Sequence, residues 1–295
     1  MKKFLLISTF LIPSLQGSFL EHPKSKSLID ELVLEHGFEK SFVEDVLSNA
    51  ERQQKIIDSI SKPAEFTWTW DRYKKLFIEE KRIANGKLFI KNNLNTLERA
   101  EREFGVPKEV ITSILGVETR YGKIQGSYRV IDSLLTLGFD YPRRAKFFKK
   151  ELIEFFVLTR QNNLDITQVK GSYAGAMGYG QFISSSYRAY AVDFDGNGSA
   201  DLFNSVDDAI GSIANYLNVH GWQPEGNIVT EIKLNDIRKP IKTHYNVNKI
   251  ITLEFEEDGE KKYFIGDNNF IAITKYNISH FYAMAIYYLS EEIKA

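Results

Sequence analysis

The sequence contains no cysteine, which excludes both disulfide bonds and lipid attachment through an N-terminal cysteine. It also lacks an excess of charge of either sign, since 38 Lys and Arg residues face 39 Asp and Glu residues, for a net charge of −1. A chain with this balance has no general attraction for a polyanion. We therefore expect no nucleic-acid partner.

Long apolar runs are scarce, and the clearest of them is at the N-terminus. Two lysines precede the run from Phe4 to Leu15, and small residues follow at Gly17 and Ser18. The run is too short to span a bilayer comfortably, and this order is typical of a secretory signal peptide at 1–18. An uncleaved membrane anchor is the alternative. Since no second apolar stretch of about 18 residues follows, we expect an exported mature chain with no transmembrane segment.

The chain has the length and apolar content for one large or two small domains, with 295 residues of which 43% are hydrophobic. Apolar residues recur at three- and four-residue spacing over most of it, which predicts amphipathic helices. Asn85 and Gly86 predict a turn between two of them. Apolar and polar residues instead alternate within 226–272, where Asp258 and Gly259 predict a hairpin turn. The predicted fold class is mainly α (α+β), with a small antiparallel sheet.

The segment 105–122, GVPKEVITSILGVETRYG, places one carboxylate in a buried register. Pro107 suits the first turn of a helix and Gly122 suits its end. The apolar stripe of this helix continues onto Glu118. Burial and the negative end of the helix dipole both disfavour a carboxylate there and favour the neutral acid, as a general acid near neutral pH requires. A structural Glu paired with Arg120 is the alternative.

The segment 170–182, KGSYAGAMGYGQF, is rich in glycine and alanine. Small residues allow a ligand to approach the backbone closely. Ser172, Tyr179 and Gln181 would then supply the polar and stacking groups of a binding site. A close crossing of two helices would explain the same small residues.

Two further clusters admit either a binding or a structural interpretation. Arg143 and Arg144 predict a site for carboxylates of an acidic substrate, or else a solvated face. Trp68, Trp70 and Tyr73 lie close together in sequence. Such aromatic clusters are usually core, and a wall of a carbohydrate-binding cleft is the alternative.

The stretch after Val192 resembles a calcium-binding loop. Four residues match the first half of the EF-hand pattern: Asp193, Asp195, Asn197 and Gly198. Ser199 stands at the position that ligates through its backbone carbonyl. The twelfth position is Asn204, where the pattern requires a bidentate Glu. Asp207 would close the site if the loop is longer than standard. A turn rich in Asp and Asn, without an ion, is the alternative.

Five motifs occur in one order along the chain: GVETRYG, YPRRA, KGSYAGAMGYGQF, DFDGNG and KYNISHFYAMA. Together they resemble the membrane-bound lytic murein transglycosylase B family of bacterial peptidoglycan-cleaving enzymes, from about Trp68 to Leu289. After the signal peptide predicted at 1–18, the resemblance implies an N-terminal helical region at 19–104 and a lysozyme-like catalytic core with an EF-hand-like loop at 105–225. It further implies a small β domain at 226–272 and a C-terminal helix that completes the cleft at 273–295.

The resemblance also implies a function. Enzymes of this family cleave the β-1,4 bond between N-acetylmuramic acid and N-acetylglucosamine and leave 1,6-anhydromuramoyl ends. A single Glu, matched by Glu118, acts first as acid and then as base. The alternatives are a lysozyme-type hydrolase and a non-catalytic, calcium-dependent wall-binding protein.

The resemblance assigns the remaining site residues as well. The matched substrate-binding residues are Ser172, Gln181, Arg143, Arg144, Tyr73, Tyr276 and Asn277. Tyr179 joins this predicted set from the composition of the glycine-rich segment alone. The matched ligands of a structural Ca²⁺ are Asp193, Asp195, Asn197, Ser199 and Asp207. The chemistry itself is expected to need no cofactor. The partners implied are peptidoglycan glycan strands, together with proteins of cell-wall synthesis or division. Because this chain has no cysteine, we expect it to be free in the periplasm and not a lipoprotein.

Overall fold

The computed structural model describes residues 18–61, 68–233 and 251–295. Apart from Ser18, the predicted signal peptide lies outside these residues. The described helices are, in chain order, α1 Ser25–Leu34, α2 Lys40–Asn49, α3 Gln54–Ser61, α4 Trp70–Phe77, α5 Glu80–Asn92, α6 Leu94–Phe104, α7 Lys108–Thr119, α8 Val130–Asp140, α9 Ala145–Gln161, α10 Ser184–Tyr190, α11 Val206–Val219, α12 Asn268–Tyr276 and α13 His280–Lys294. The described strands are β1 Tyr128–Arg129, β2 Lys170–Gly171, β3 Val229–Ile232, β4 Ile251–Glu257 and β5 Glu260–Gly266.

The fold is mainly helical with small antiparallel sheets, which confirms the predicted fold class. Strands β1 and β2 form a two-stranded antiparallel ladder, and β3, β5 and β4 form an antiparallel sheet in that order. None of the helices within the described ranges has the length and apolar composition that a bilayer-spanning segment needs.

Helix α7 lies at the centre of the core. It packs against α5, α6, α11 and α13, and its residues from Val110 to Gly116 are all buried. Pro107 occupies the N-cap position, directly before the first turn in which the sequence placed it. The helix ends at Thr119, before the predicted stop at Gly122, because Arg120 already adopts a left-handed conformation with φ of 52°. The C-terminal end of this helix is therefore followed by a tight, irregular turn.

The predicted turn at Asn85 and Gly86 is wrong, because α5 continues through both residues. A Cβ atom placed on Gly86 would lie 2.5 Å from Cδ1 of Ile293 and 2.8 Å from the hydroxyl of Tyr121. That hydroxyl donates a 2.8 Å hydrogen bond to the carbonyl of Arg82. Gly86 thus serves close packing of α5 against the core and is not a chain reversal.

The predicted hairpin is confirmed. Asp258 and Gly259 join β4 to β5, and both have positive φ, 50° and 79°. This is the conformation of a two-residue type I′ turn, for which Asp-Gly is a favoured pair. Leu253 and Phe255 of β4 are buried, and the Phe255 ring lies 5.1 Å from that of Trp70. The sheet therefore packs its apolar face against α4.

A buried carboxylate fastens the end of this hairpin to the helices. Glu257 is 6% exposed and forms ion pairs with Lys74 of α4 and Lys262 of β5. The hydroxyl of Tyr288 on α13 donates to the same carboxylate at 3.3 Å. Burial alone disfavours the anion, but the two ammonium groups outweigh it and lower the pKa of Glu257.

The single C-terminal helix predicted for 273–295 is wrong, since the chain forms two helices there. Asn277 and Ser279 have extended backbones and separate α12 from α13. Ser279 is the N-cap of α13, and its hydroxyl accepts a 3.2 Å hydrogen bond from the N–H of Tyr282. The break sets Tyr276 and Tyr282 on different helices.

Candidate active site

Glu118 lies in the last turn of α7 and is partly exposed. The hydroxyl of Tyr282, on α13, donates a 2.7 Å hydrogen bond to its Oε1. Tyr282 is 1% exposed, and burial, together with the nearby charge of Glu118, raises its pKa well above the ordinary value for a phenol. The phenol therefore keeps its proton and acts as a hydrogen-bond donor. Arg120 pairs instead with Glu79, at 3.1 Å.

The glycine-rich segment is bonded directly to the end of α7. The hydroxyl of Thr119 donates to the carbonyl of Tyr179 at 2.8 Å and accepts from the N–H of Gly122 at 2.9 Å. The Tyr179 ring packs so closely on Gly122 that a Cβ there would lie 1.8 Å from a ring carbon. Two motifs far apart in sequence thus form one structural unit.

Ser172 begins the tight loop of this segment. Its Oγ accepts hydrogen bonds from the N–H groups of Ala174 at 3.3 Å and Ala176 at 3.0 Å. A hydroxyl that accepts twice still has its own hydrogen to donate. The small-residue loop therefore holds the Ser172 oxygen in place.

Gln181 links the same segment to the loop that follows α7. Its Nε2 donates to the carbonyls of Gln125 and Gly178, each at 3.0 Å. Its φ is 52°, a left-handed conformation that is uncommon for a residue with a side chain. These bonds fasten the glycine-rich segment to the loop that follows α7.

Tyr276 and Asn277 approach from the C-terminal helices. The Tyr276 hydroxyl donates to the carbonyl of Gly180 at 2.5 Å, and its ring lies parallel to that of Tyr282, with centroids 6.4 Å apart. Burial raises the pKa of Tyr276 well above the ordinary value. Asn277 follows directly and is half-buried. We define Glu118, Tyr179, Gln181, Tyr276 and Tyr282 as the Glu118 site.

The structure places Tyr73 in an aromatic cluster of the core. It is 2% exposed, and its ring contacts those of Trp70 at 6.3 Å and Phe281 at 5.6 Å. Phe281 adjoins Tyr282 in the chain, so this cluster lies beside the Glu118 site. A substrate-binding role for Tyr73 stays a prediction, and its position is that of a core residue.

Arg143 and Arg144 lie on a short 3₁₀ helix between α8 and α9, and both are exposed. The Arg144 guanidinium is 4.2 Å from the ring centroid of Phe147. Within the described residues, neither arginine forms an ion pair. Both remain accessible to a substrate carboxylate, and their role stays a prediction.

The predicted calcium loop forms a compact acidic cluster. Carboxylate oxygens of Asp193, Asp195 and Asp208 lie within 4.8 Å of one another. Backbone N–H groups of the loop point at these carboxylates, including that of Gly198, 2.7 Å from Asp193 Oδ2. Clustered carboxylate oxygens are the donors that Ca²⁺ prefers, so the residues present fit this ion.

The predicted ligand Asp207 lies outside this cluster. Asp208, not Asp207, faces Asp193 and Asp195, and it is fully buried. The Asp207 carboxylate instead accepts a 2.8 Å hydrogen bond from Thr96 on α6. The two aspartates are adjacent on a helix, so they point in directions about 100° apart.

Neither Tyr282 nor Asp208 was predicted as a site residue from the sequence, and the structure gives both a defined position. Tyr282 lay within the motif KYNISHFYAMA, six positions after Tyr276. A buried tyrosine in such a motif is a signal for a hydrogen bond to a buried polar group. For Asp208 the signal was the doubled aspartate at the start of a helix.

An acid held by a buried phenol, beside a glycine-rich loop on a helical core, is the site of a glycan-cleaving enzyme with a lysozyme-like fold. The comparisons with known proteins agree. A family model described as "Transglycosylase SLT domain" matches residues 21–291. The chain therefore belongs to the SLT transglycosylase family, and it is a lytic transglycosylase that acts on peptidoglycan.

Individual relatives support this assignment. The membrane-bound lytic murein transglycosylase B of Escherichia coli (strain K12) is 36% identical over 318 aligned residues, covering 98% of this chain and 88% of the relative. The structure of the catenated lytic transglycosylase SltB1 from Pseudomonas aeruginosa matches with a TM-score of 0.88 and 40% identity, over 94% of this chain and 98% of that one. An Escherichia coli lytic transglycosylase solved in complex with calcium matches with a TM-score of 0.84 and 35% identity, over 94% and 95% of the two chains.

Proposed function

We propose that the enzyme cleaves the β-1,4 bond between N-acetylmuramic acid and N-acetylglucosamine without water, leaving 1,6-anhydromuramoyl ends, with Glu118 as the single acid and base. The observation that carries the proposal is the 2.7 Å hydrogen bond from the Tyr282 hydroxyl to Glu118 Oε1. This bond orients the partly exposed carboxyl group of Glu118 and stabilises the anion that forms when Glu118 gives up its proton.

The reaction begins with the neutral acid. Glu118 gives its proton to the glycosidic oxygen, the C1–O bond of muramic acid breaks, and N-acetylglucosamine leaves with a free 4-hydroxyl group. The N-acetyl group of muramic acid stabilises the positive charge at C1. The Glu118 carboxylate then takes the proton of the C6 hydroxyl as that oxygen bonds to C1. The acid is regenerated and no water is consumed, in contrast to glycosidases that use two carboxylates.

The neighbouring residues bind and orient the glycan. The hydroxyl hydrogen of Ser172 is available for a sugar oxygen or for the carboxyl group of Glu118. Gln181 and Tyr276 hold the glycine-rich loop in place for contact with the glycan strand. Tyr179 and Asn277 complete the binding surface. Arg143 and Arg144 bind carboxylates of the stem peptides.

We also propose that the acidic loop binds Ca²⁺ as a structural ion, through Asp193, Asp195, Asn197, the carbonyl of Ser199, and Asp208 in place of Asp207. The clustered carboxylates support this, as does the relative solved with calcium. The loop follows the glycine-rich segment, and Tyr179 N–H donates to the carbonyl of Leu202 at 2.9 Å. Calcium therefore stabilises a loop that contacts the Glu118 site and takes no part in the chemistry.

The proposed location is the periplasm, where the substrate lies, after removal of the segment 1–18. Proteins of wall synthesis or division are the proposed partners. Fractionation of cells that carry the tagged protein tests the location, and a cytoplasmic pool of uncut chain would contradict it.

The central test is Glu118→Gln, assayed on purified peptidoglycan with products identified by mass spectrometry. The amide keeps the shape of the side chain but cannot deliver a proton, so we expect loss of turnover with unchanged melting temperature. Glu109→Gln is the matched control, because Glu109 lies on the same helix and pairs with Lys108 at 3.4 Å. Wild-type enzyme is expected to release products lighter by one water than hydrolysis products. Hydrated products would identify a lysozyme-type hydrolase, and activity of Glu118→Gln within about tenfold of wild type would exclude Glu118 as the acid.

A further inference from the structure

The turn that follows Glu118 has an uncommon backbone conformation. Arg120 and Tyr121 have φ of 52° and 62°, in the left-handed region that residues with side chains rarely adopt. The turn nevertheless closes the helix. The N–H of Arg120 donates to the carbonyl of Gly116 at 3.2 Å, and the N–H of Tyr121 donates to that of Leu115 at 3.0 Å. Two left-handed residues in a row persist only where the surrounding structure enforces them.

The side chain of Tyr121 occupies a space that two glycines leave open. A Cβ atom on Gly116 of α7 would lie 2.6 Å from the Tyr121 hydroxyl oxygen, and one on Gly86 of α5 would lie 2.8 Å from it. Both glycines are inside their helices, where glycine is less favourable than alanine. The two helices thus give up intrinsic stability at the points where this tyrosine fits between them.

Arg82 of α5 binds both the tyrosine and the helix that carries Glu118. Its carbonyl oxygen accepts the 2.8 Å hydrogen bond from the Tyr121 hydroxyl, and its Nη1 donates to the carbonyl of Gly116 at 2.9 Å. Burial raises the pKa of Tyr121, so the phenol keeps its proton and acts as a donor. Arg82 itself is 4% exposed and pairs with Glu79 at 3.6 Å. We define Arg82, Gly86 and Gly116 as the Tyr121 socket.

The socket and Glu118 lie on different faces of α7. Positions 116 and 118 are two residues apart, which is about 200° around a helix. Helix α5 packs against α7 at the Gly116 face, whereas Tyr282 of α13 bonds to Glu118. The socket can therefore fix the end of α7 without taking space from a substrate at Glu118.

We propose that Tyr121 is a positioning residue for Glu118: held in its socket, it fixes the left-handed turn after Thr119 and so the direction in which the last turn of α7 presents the carboxyl group. The proposal rests on Glu118 being the acid of the proposed reaction. In this role Tyr121 contacts α5 and α7 and not the glycan. A displacement of about 1 Å in a reacting group can cost about a hundredfold in rate, so a fixed turn matters to kcat.

The first test is Tyr121→Phe in the full chain, which keeps the ring and removes the hydrogen bond to Arg82. We expect kcat on purified peptidoglycan, measured well below the melting temperature, to fall about tenfold with KM unchanged. Hydrogen exchange at the amide of Arg120 should become about tenfold faster, because the turn opens more often. Tyr288→Phe is the matched control. It also removes a tyrosine hydroxyl bond, to Glu257, and should change neither kcat nor exchange at Arg120.

The second test closes the socket from the other helix. In Gly116→Ala the new methyl group would overlap the Tyr121 hydroxyl, so the tyrosine must move. We expect kcat to fall at least tenfold, again with KM unchanged. Gly138→Ala is the control, because it also adds a methyl group inside a helix, α8, where the nearest atom is 3.3 Å away. Its kcat should match wild type.

Three results would overturn the proposal: a kcat of Tyr121→Phe within twofold of wild type, a loss of activity that lies in KM, or unchanged exchange at Arg120. The exchange measurement involves no turnover. Glu118→Gln decides separately whether Glu118 is the acid. If that variant is inactive while Tyr121→Phe behaves like wild type, the positioning role alone is wrong. If Glu118→Gln stays active, the assignment of the acid is wrong as well.

Discussion

Replacing Tyr282 by Phe removes a single hydroxyl from the core and leaves its ring in place. That hydroxyl donates the 2.7 Å hydrogen bond to Glu118 Oε1, and the ring packs parallel to Tyr276. The proposed reaction converts Glu118 from a neutral acid to an anion and back. A hydrogen bond to a neutral group contributes about 0.5–1.5 kcal/mol and one to a charged group about 1.5–3 kcal/mol. The variant therefore loses roughly 1 to 1.5 kcal/mol more in the anionic state than in the neutral one.

We expect this difference to reduce kcat about tenfold, with little change in KM or in melting temperature. The alkaline limb of the pH–rate profile should move to higher pH, because the anion of Glu118 has lost a stabilising donor. The assay is release of soluble fragments from purified peptidoglycan across a pH series.

Tyr288→Phe is the matched control. Tyr288 lies on the same helix as Tyr282, and its hydroxyl donates to a different carboxylate, that of Glu257. The substitution removes the same hydroxyl group at a position away from Glu118. We expect its kcat and pH profile to match wild type. A Tyr282→Phe enzyme with kcat within twofold of wild type and an unmoved profile would refute the idea that the phenol acts through Glu118.

Three further predictions concern other parts of the molecule. Calcium is expected to raise the melting temperature, by an amount equivalent to about 2.7 kcal/mol at a hundredfold excess over Kd. Asp193→Ala is expected to abolish this rise, and identical calorimetric traces with calcium and with chelator would contradict an occupied loop. The variant with both Arg143→Ala and Arg144→Ala is expected to lose activity on peptide-bearing strands and keep it on naked glycan, so equal losses on the two substrates would rule out peptide recognition. Glu257 has a lowered pKa, so its ion pairs stabilise the fold above the unfolded carboxyl pKa of about 4.3 and are lost as the pH falls through the folded value. We expect Glu257→Gln to melt below wild type at pH 7 and to converge with it in acid; a constant gap across the pH series would show that the ion pairs are not the cause.

The sequence was most informative where local chemistry and burial agree. Helix α7 could be predicted because Pro107 and a stripe of apolar residues both favour it, and the structure places that stripe in the core. The hairpin could be predicted because Asp258 and Gly259 suit the one turn that two-residue hairpins favour.

Prediction was weaker where distant residues decide the outcome. Asn85 and Gly86 have the local preferences of a turn, but packing of Ile293 and Tyr121 against Gly86 keeps α5 continuous. Spacing alone cannot tell which of two adjacent aspartates faces a loop, and contact with Thr96 turns Asp207 away. These contacts exist only in three dimensions.

The same limit applies to the candidate site. Glu118 was selected from the apolar stripe of its own helix, although the structure leaves it partly exposed and not buried as the stripe predicted. Tyr282 was not, because nothing near it in the chain shows that its hydroxyl reaches α7. The glycine-rich segment was predicted as a binding loop or a helix crossing, and its bonds to Thr119 and Gln125 place it beside the acid.

The hydrogen bond between Glu118 and Tyr282 joins residues 164 positions apart in the chain. During synthesis, Glu118 and the whole of α7 leave the ribosome long before Tyr282 does. A nascent chain that has not reached Tyr282 thus holds its acid without the phenol, and without the helix that packs α7 into the core. The Glu118 site is therefore complete only after nearly all of the protein has been made.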